Sequence, residues 1–210
     1  QTVRILAVDG SGPPIEVGAG TGNPAWSPDG SYIAFDSPSG QIAVVRPDGS
    51  DLTFVGIQAP SWKYPKWSPD GSRLVFGFGG LLYVVNADGS GQKSIVDLPG
   101  SAGRPQWSPD GSKIAYLRSP PGCSFYCVLA VADTTGKGLF EIHDFKNTED
   151  FQVIWPLVWS PDGSRLAFSV RWYPIDAIFM VDSDGGNLAR ITDGESASDL
   201  DSYIIGSWVN

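Results

Sequence analysis

The chain has 210 residues and carries 14 Lys and Arg against 23 Asp and Glu, a formal charge of −9. Proteins that hold nucleic acid neutralise phosphate with Lys and Arg, so this balance excludes nucleic acid as an expected partner. No run approaches the ~20 apolar residues of a membrane-spanning helix, so membrane insertion is not expected either. Eight Trp and ten Phe supply large side chains for a core without metal or many disulfides, and 26 Gly and 17 Pro mark a chain that turns often.

Gln1 leads directly into strand-like sequence, without a charged segment and apolar core of a signal peptide, which fits a mature or trimmed chain. Ile5 to Gly12 has the pattern of a strand and its turn, and Pro14 to Val17 that of a short strand after it. The first complete unit follows. The hexapeptide Trp-Ser-Pro-Asp-Gly-Ser starts at Trp26 and recurs unchanged at Trp67, Trp107 and Trp159. Four copies make this a repeat protein. Within each copy Pro sets φ for the second turn position, Asp suits the third, and Gly supplies the left-handed residue that follows. A short apolar strand comes next in every copy: Ile33-Ala34-Phe35, Leu74-Val75-Phe76, Ile114-Ala115-Tyr116 and Leu166-Ala167-Phe168.

The repeat extends beyond this hairpin. Third strands are predicted at Ile42 to Val45, Leu82 to Val85, Val128 to Val131 and Ile178 to Val181. Gly-containing turns follow, and then fourth strands at Leu52 to Val55, Ser94 to Val96, Leu139 to Ile142 and Leu188 to Ile191. Four antiparallel strands joined by short turns make the unit of a β-propeller blade. The Trp spacings of 41, 40 and 52 residues match a blade period of about 40 to 50. The longer third interval contains the Cys loop, Ser119 to Tyr126, and the segment Asp144 to Pro156. At the far end Ile205-Gly206-Ser207-Trp208-Val209 resembles the segment leading into each repeat Trp. The fold class expected is therefore all-β: one propeller domain over 1–210, most simply five-bladed, with one composite blade joining N- and C-terminal strands. That composite blade lacks a second strand. A fragment of a larger propeller, or self-association that completes the ring, is the rival reading.

The pattern W-S-P-D-G-S-x-[IL]-[AV]-[FY], followed by a strand and D-G-S, resembles the TolB-like propeller repeat family over nearly the whole chain. The resemblance implies an exported, periplasmic or extracellular protein, mostly of binding or scaffolding type. It lacks the family's α/β and peptidase domains, where relatives that cleave peptides keep their chemistry. Oligogalacturonate lyases, a distant propeller group, use several His around a metal; this chain has only His143, which argues against that activity.

Cys123 and Cys127, in G-C-S-F-Y-C, are expected to form a small disulfide; metal binding and free thiols are the alternatives. The repeat residues Trp26, Trp67, Trp107, Trp159 and Trp208 recur at one position each, which points to packing between blades rather than ligand stacking. Asp29, Asp70, Asp110 and Asp162 resemble a carboxylate ring, but Asp at that place bonds its own turn. Function is expected where the copies differ. The loops between second and third strands, and between blades, share one face and carry large side chains. They hold Trp62, Tyr64, Tyr126, Phe151, Trp155, Arg171, Trp172 and Tyr173. Aromatic anchors beside an Arg suit a protein, peptide or glycan ligand, or else pack the loops on one another. No G-x-S-x-G or H-E-x-x-H motif is present, no cofactor is expected, and a non-enzyme is the reading chosen. Asp199 with Asp201 is the weak glycosidase alternative, and Asp193, Glu195, Asp199 and Asp201 do not follow EF-hand spacing for Ca²⁺.

Overall fold

The computed structural model describes residues 1–192, apart from positions 8, 10, 21, 60–62, 98, 124–126, 136–139, 145–150 and 173–174; for 140, 142–144, 151–156, 171–172 and 175–176 it describes the backbone. All the regular structure among these residues is β. A two-stranded antiparallel sheet comes first, β1 (Thr2–Ile5) with β2 (Ile15–Ala19). Four four-stranded antiparallel sheets follow in chain order. The first holds β3 (Gly22–Trp26), β4 (Ile33–Asp36), β5 (Ile42–Val45) and β6 (Thr53–Val55). The second holds β7 (Lys66–Trp67), β8 (Arg73–Phe78), β9 (Leu81–Asn86) and β10 (Lys93–Asp97). The third holds β11 (Ser101–Trp107), β12 (Lys113–Ser119), β13 (Val128–Asp133) and β14 (Phe140–Asp144). The fourth holds β15 (Phe151–Trp159), β16 (Arg165–Trp172), β17 (Ile175–Asp182) and β18 (Ala189–Arg190). In every sheet each strand pairs with the next in sequence, so each is an up-and-down blade. The first strands β3, β7, β11 and β15 contact one another in succession, which places them innermost, where the blades converge.

The N-terminal strand is Thr2–Ile5, earlier than the sequence pattern places it, and Leu6 is exposed. Phe151, Trp155, Arg171 and Trp172, expected in loops, lie on strands instead, because β15 and β16 run to nine and eight residues. Their sequences, Phe-Gln-Val-Ile-Trp and Val-Arg-Trp, are rich in the β-branched and aromatic residues that fit a pleated sheet. Trp62, Tyr126, Tyr173, Trp208 and the acidic positions 193–201 lie outside the described residues.

The cores lie between blades. In β4, Ile33 and Phe35 turn back toward Val17, Val3 and Ile5 of the N-terminal sheet, while Ala34 turns forward to Trp67, Leu74 and Phe76 of the next blade. The same alternation recurs. Ile114 and Tyr116 join Trp107 in the core shared with the second blade, and Ala115 and Leu117 join Trp159 and Phe168 in the core shared with the fourth. This explains the triplet in the repeat. Strand periodicity sends its two large residues to one neighbour and its Ala or Val to the other, where the smaller side chain leaves room for the incoming indole.

Each incoming Trp also makes one inter-blade hydrogen bond. The Nε1–H of Trp67 donates to the Ala25 carbonyl at 3.0 Å, Trp107 to Lys66 at 3.1 Å and Trp159 to Gln106 at 3.1 Å. Each acceptor is the residue just before the Trp of the preceding blade, so the repeat locks onto itself in a fixed register. Trp26 departs from the pattern. It is 51% exposed, against 7–8% for the other three, and its indole N–H has no partner among the described residues. Its packing role therefore differs from that of its equivalents, since no earlier carbonyl of this kind stands beside it among the described residues.

This difference sets a test. Trp107→Phe removes the bond and strands the Lys66 carbonyl, at a cost of about 1–3 kcal/mol, and Trp107→Ala costs about 3–5 kcal/mol. Trp26→Phe is expected to cost no more than about 0.5 kcal/mol. Urea denaturation of the three variants measures this; equal losses for Trp26→Phe and Trp107→Phe would refute the inter-blade role.

Candidate functional site

The two faces of the blade array differ in chemistry. On one face lie the hexapeptide turns. In the second blade Ser68 Oγ donates to Asp70 Oδ1 at 2.5 Å, Ser72 N–H donates to the same oxygen at 3.0 Å, and Arg73 N–H donates back to Ser68 Oγ at 3.0 Å. Gly71 N–H closes the turn on the Ser68 carbonyl at 2.9 Å with φ of 70°. The other three copies repeat these bonds through Ser27 and Asp29, Ser108 and Asp110, and Ser160 and Asp162. The turns between third and fourth strands use Asp in the same way: Ser50 and Ser90 donate backbone N–H to Asp48 and Asp88. The carboxylates of this face are thus committed to their own backbone. Hydrogen bonds from Ser side chains, then from backbone N–H groups, lower the four hexapeptide Asp pKa values to about 2 from the ordinary 3.8.

The opposite face carries the loops between second and third strands and between blades. Here the first strands share a bulge. Register shifts interrupt pairing at Gly22/Ala25, Gly103/Gln106 and Ile154/Leu157. In the first three blades the residue three before the repeat Trp has left-handed backbone: Asn23 at φ 56°, Tyr64 at 51° and Arg104 at 53°. Asn tolerates that region through its short polar side chain, but Tyr and Arg are strained in it. Each is followed by Pro. Of these three only Tyr64 stands out in the sequence, as an aromatic in a variable loop; the signal for Asn23 and Arg104 is the recurring x-Pro-x-Trp, whose first position needs the fold to reveal its conformation.

Asn23 lies on β3 and Arg104 on β11, Tyr64 two residues before β7, and side-chain contacts connect them to their surroundings. Arg104 Cζ lies 4.9 Å from the centre of the Tyr64 ring, joining the second and third blades. Asn23 Nδ2 donates to Asp36 Oδ2 at 3.0 Å, and the Lys63 backbone N–H donates to the same carboxylate at 3.2–3.3 Å. Lys63 is 1% exposed. Its ammonium donates to the Gly40 carbonyl at 2.5 Å and the Ala59 carbonyl at 2.9 Å, with the Phe78 ring 5.5 Å away. Burial lowers its pKa, and the nearby Asp36 charge partly opposes that shift. Lys63 therefore straps the inter-blade loop to the first blade's Ser37–Gly40 loop, immediately before Tyr64. Gly77 completes the seat: a Cβ there would come within 2.4 Å of the Ala102 carbonyl, so its absence lets β11 approach β8 beside Arg104.

Farther out on the third blade, Cys123 and Cys127 are disulfide-bonded, and Cys127 is buried in the core with Tyr116. Arg118 ion-pairs with Glu141 and donates to the Pro99 carbonyl. In the fourth blade the backbone register sets Phe151 opposite Trp172 and Gln152 opposite Arg171 at the loop-face end of β15 and β16, so three of the sequence-selected residues are neighbours in the sheet. Trp155 falls within the bulge of β15.

No family model matches the chain, and no curated protein does. Solved structures do. TolB from Acinetobacter baumannii superimposes with a TM-score of 0.69 at 18% identity, over 92% of this chain and 49% of that one. A putative TolB from Agrobacterium tumefaciens gives 0.64 at 20% identity, over 90% and 79%. An oligogalacturonate lyase in complex with manganese gives 0.69 at 15% identity, over 91% and 58%. The similarity establishes the fold, an all-β propeller of four-stranded blades, and the chain spans about half the length of the first of these structures.

The turn-face carboxylates make acid stability a direct readout. Their folded pKa values lie below the unfolded value, so their contribution is full above about pH 4 and is lost as pH falls through about 2. The urea midpoint is expected to drop between pH 4 and pH 2. Replacing all four Asp by Asn should lower the midpoint at neutral pH and flatten that drop; an unchanged acid profile would show that the lability lies elsewhere.

Proposed function

We propose that the chain is a TolB-like propeller module, a single non-catalytic domain that binds a protein, peptide or glycan through its loop face. The observation that carries this reading is the left-handed backbone of Tyr64 and Arg104 at equivalent places, three residues before the repeat Trp, in adjacent blades. Residues held in costly conformations cluster at binding and catalytic sites, where the surrounding structure enforces them. The turn face also has left-handed residues, Asp51 and Asn187, but these are Asp and Asn, which tolerate that region, and the Asp side chains of its hexapeptide turns are consumed by their own backbone. Trp62, Tyr126, Phe151, Trp155, Arg171, Trp172 and Tyr173 extend the proposed surface across the blades. The Cys123–Cys127 disulfide supports an exported location, periplasmic or extracellular, since such bonds persist in oxidising compartments. Closure of the array as five blades, with Trp208 in the composite blade, belongs to the same proposal.

A second reading places lyase or hydrolase chemistry on this face. It is favoured by the similarity to an oligogalacturonate lyase, while the single histidine, His143, limits the bases and ligands at its disposal.

Peptide and glycan arrays, run beside a polysaccharide-cleavage screen with and without manganese, separate the two. Binding without turnover, weakened about ten-fold or more by Tyr64→Ala, Trp155→Ala and Trp172→Ala, is the expected result. Ligand affinity untouched by all three variants would remove the loop face from consideration, and metal-dependent turnover would establish the enzyme reading.

A further inference from the structure

Three of the seams between blades share one membership. Where the first blade meets the second, the core holds Ala34 of the preceding second strand, Ile42 and Val44 of the third, Val55 of the fourth, and the incoming Trp67. The next two seams set Val75 with Trp107 and Ala115 with Trp159 in the same relation. The seam between the N-terminal sheet and the first blade stops short of this. Its core holds Val3 and Ile5 of β1, Val17 of β2, and Ile33, Phe35, Ala43 and Val45 of β4 and β5. It includes neither Trp26 nor a small residue from a second strand ahead of it. In this alignment β1 and β2 are third and fourth strands, and among the described residues β1 pairs with β2 alone.

A groove of about 590 Å³ lies beside β1, with Thr2, Val3 and Arg4 on one wall and Gly20, Gly22 and Pro24 on the other. No residue of β2 lines it, so it follows the other edge of β1 and separates that edge from β3, the strand of Trp26. The Gly20 N–H donates to the Gln1 carbonyl at 3.2 Å, on the β2 side. Alternation along an antiparallel strand therefore turns the N–H and C=O of Thr2 and Arg4 away from β2, toward the groove. Lys and Pro, which commonly guard a sheet edge, are absent from Thr2–Ile5, and the Arg4 guanidinium is drawn to Glu16 of β2 at 2.7–3.0 Å. The two sides of this edge differ in chemistry. Val3 and Ile5 turn to the first blade, while Thr2 and the Arg4–Glu16 pair are exposed on the opposite side.

We infer that the free edge of β1 is a docking site for an extended peptide strand of a partner protein, which pairs with Thr2–Ile5 as a second strand does in the other blades. The three complete seams say what such a strand must carry. Toward Trp26 it presents Ala or Val, as Ala34, Val75 and Ala115 do beneath the other indoles. Toward Thr2, Arg4 and Glu16 it presents polar side chains, because that side of the N-terminal sheet is polar. The ligand class is thus a segment alternating small apolar and polar residues, held by main-chain hydrogen bonds and selected by its small residues. Docking covers the half-exposed Trp26 indole and supplies the second-strand member of this seam. The inference goes beyond the loop-face ligand and does not depend on it.

The test uses the 210-residue chain and the peptide Thr-Val-Thr-Ala-Thr-Val-Thr, with a version carrying Pro-Pro at its centre as comparison, by isothermal titration calorimetry. The alternating peptide is expected to bind and the Pro version not to, since Pro lacks the N–H that pairing needs. Trp26→Ala and Thr2→Pro should each raise Kd about ten-fold, while Lys113→Gln on the third blade leaves it unchanged. Thr2→Pro should also leave the urea midpoint in place, because the N–H it removes is not part of the β1–β2 ladder. In NMR hydrogen exchange the bound peptide is expected to protect the amides of residues 2 and 4. Equal binding of both peptides, no binding, or a Kd insensitive to both site variants would overturn the inference. Protection of residues 2 and 4 in the free monomer would overturn it in favour of the chain's own segment on this edge. Protection that appears on dimerisation and is lost on dilution would overturn it in favour of a second copy. Protection confined to 64–66 and 101–106 would overturn this site and leave the loop-face reading standing.

Discussion

The hydrogen bond from each buried indole to the carbonyl before the preceding blade's Trp is the contact on which the architecture depends. Side-chain burial alone would hold neighbouring blades together with considerable freedom to slide. A directional bond of 3.0–3.1 Å, closed inside an apolar seam, removes that freedom and sets each blade relative to the last. The alternating triplet in the second strand serves the same contact. Its Ala or Val faces the next blade and leaves space for the indole, while its larger neighbours fill the seam behind. One residue type thus organises both the core and the register, and the innermost strands are brought into succession as a consequence.

From this follows the division of labour between faces. The hexapeptide turns must be rigid to aim each Trp-bearing strand, and their Ser and Asp side chains spend their hydrogen bonds on that rigidity. What remains variable is the other end of the same strands, where a bulge and a left-handed residue precede Pro. Lys63 and Gly77 hold that end in place, one through buried bonds to loop carbonyls and the other by the absence of a side chain. The result is a surface whose chemistry changes from blade to blade while its backbone path is retained.

The same motif can have different fates. Trp26 carries the full hexapeptide and the same turn as its three equivalents, yet it is half exposed, because burial of this residue depends on the blade before it and not on its own sequence. Phe151, Trp155, Arg171 and Trp172 were legible as a cluster of large side chains, but their assignment to loops failed. Their β-propensity is spread over a hairpin of nine- and eight-residue strands, longer than the corresponding strands of the other blades.

The amino-acid sequence by itself determined the repeat, the four-stranded unit and the turn role of Asp29, Asp70, Asp110 and Asp162, because each rests on interactions within a few residues: a Pro-set turn, a side chain bonding its own backbone, strands alternating at period two. The pairing of Cys123 with Cys127 is likewise a matter of short separation. Only the tertiary structure decided which Trp is buried, which carbonyl each indole meets, and that Asn23, Tyr64 and Arg104 share one conformation in adjacent blades. It also decided that Lys63 is buried and bonded to two loop carbonyls while Lys66 is only half-buried, although both are lysines in the same short stretch. Local bonding is written in neighbouring residues; the environment of a charge is set by blades about forty residues apart, and no stretch of sequence contains both sides of that seam.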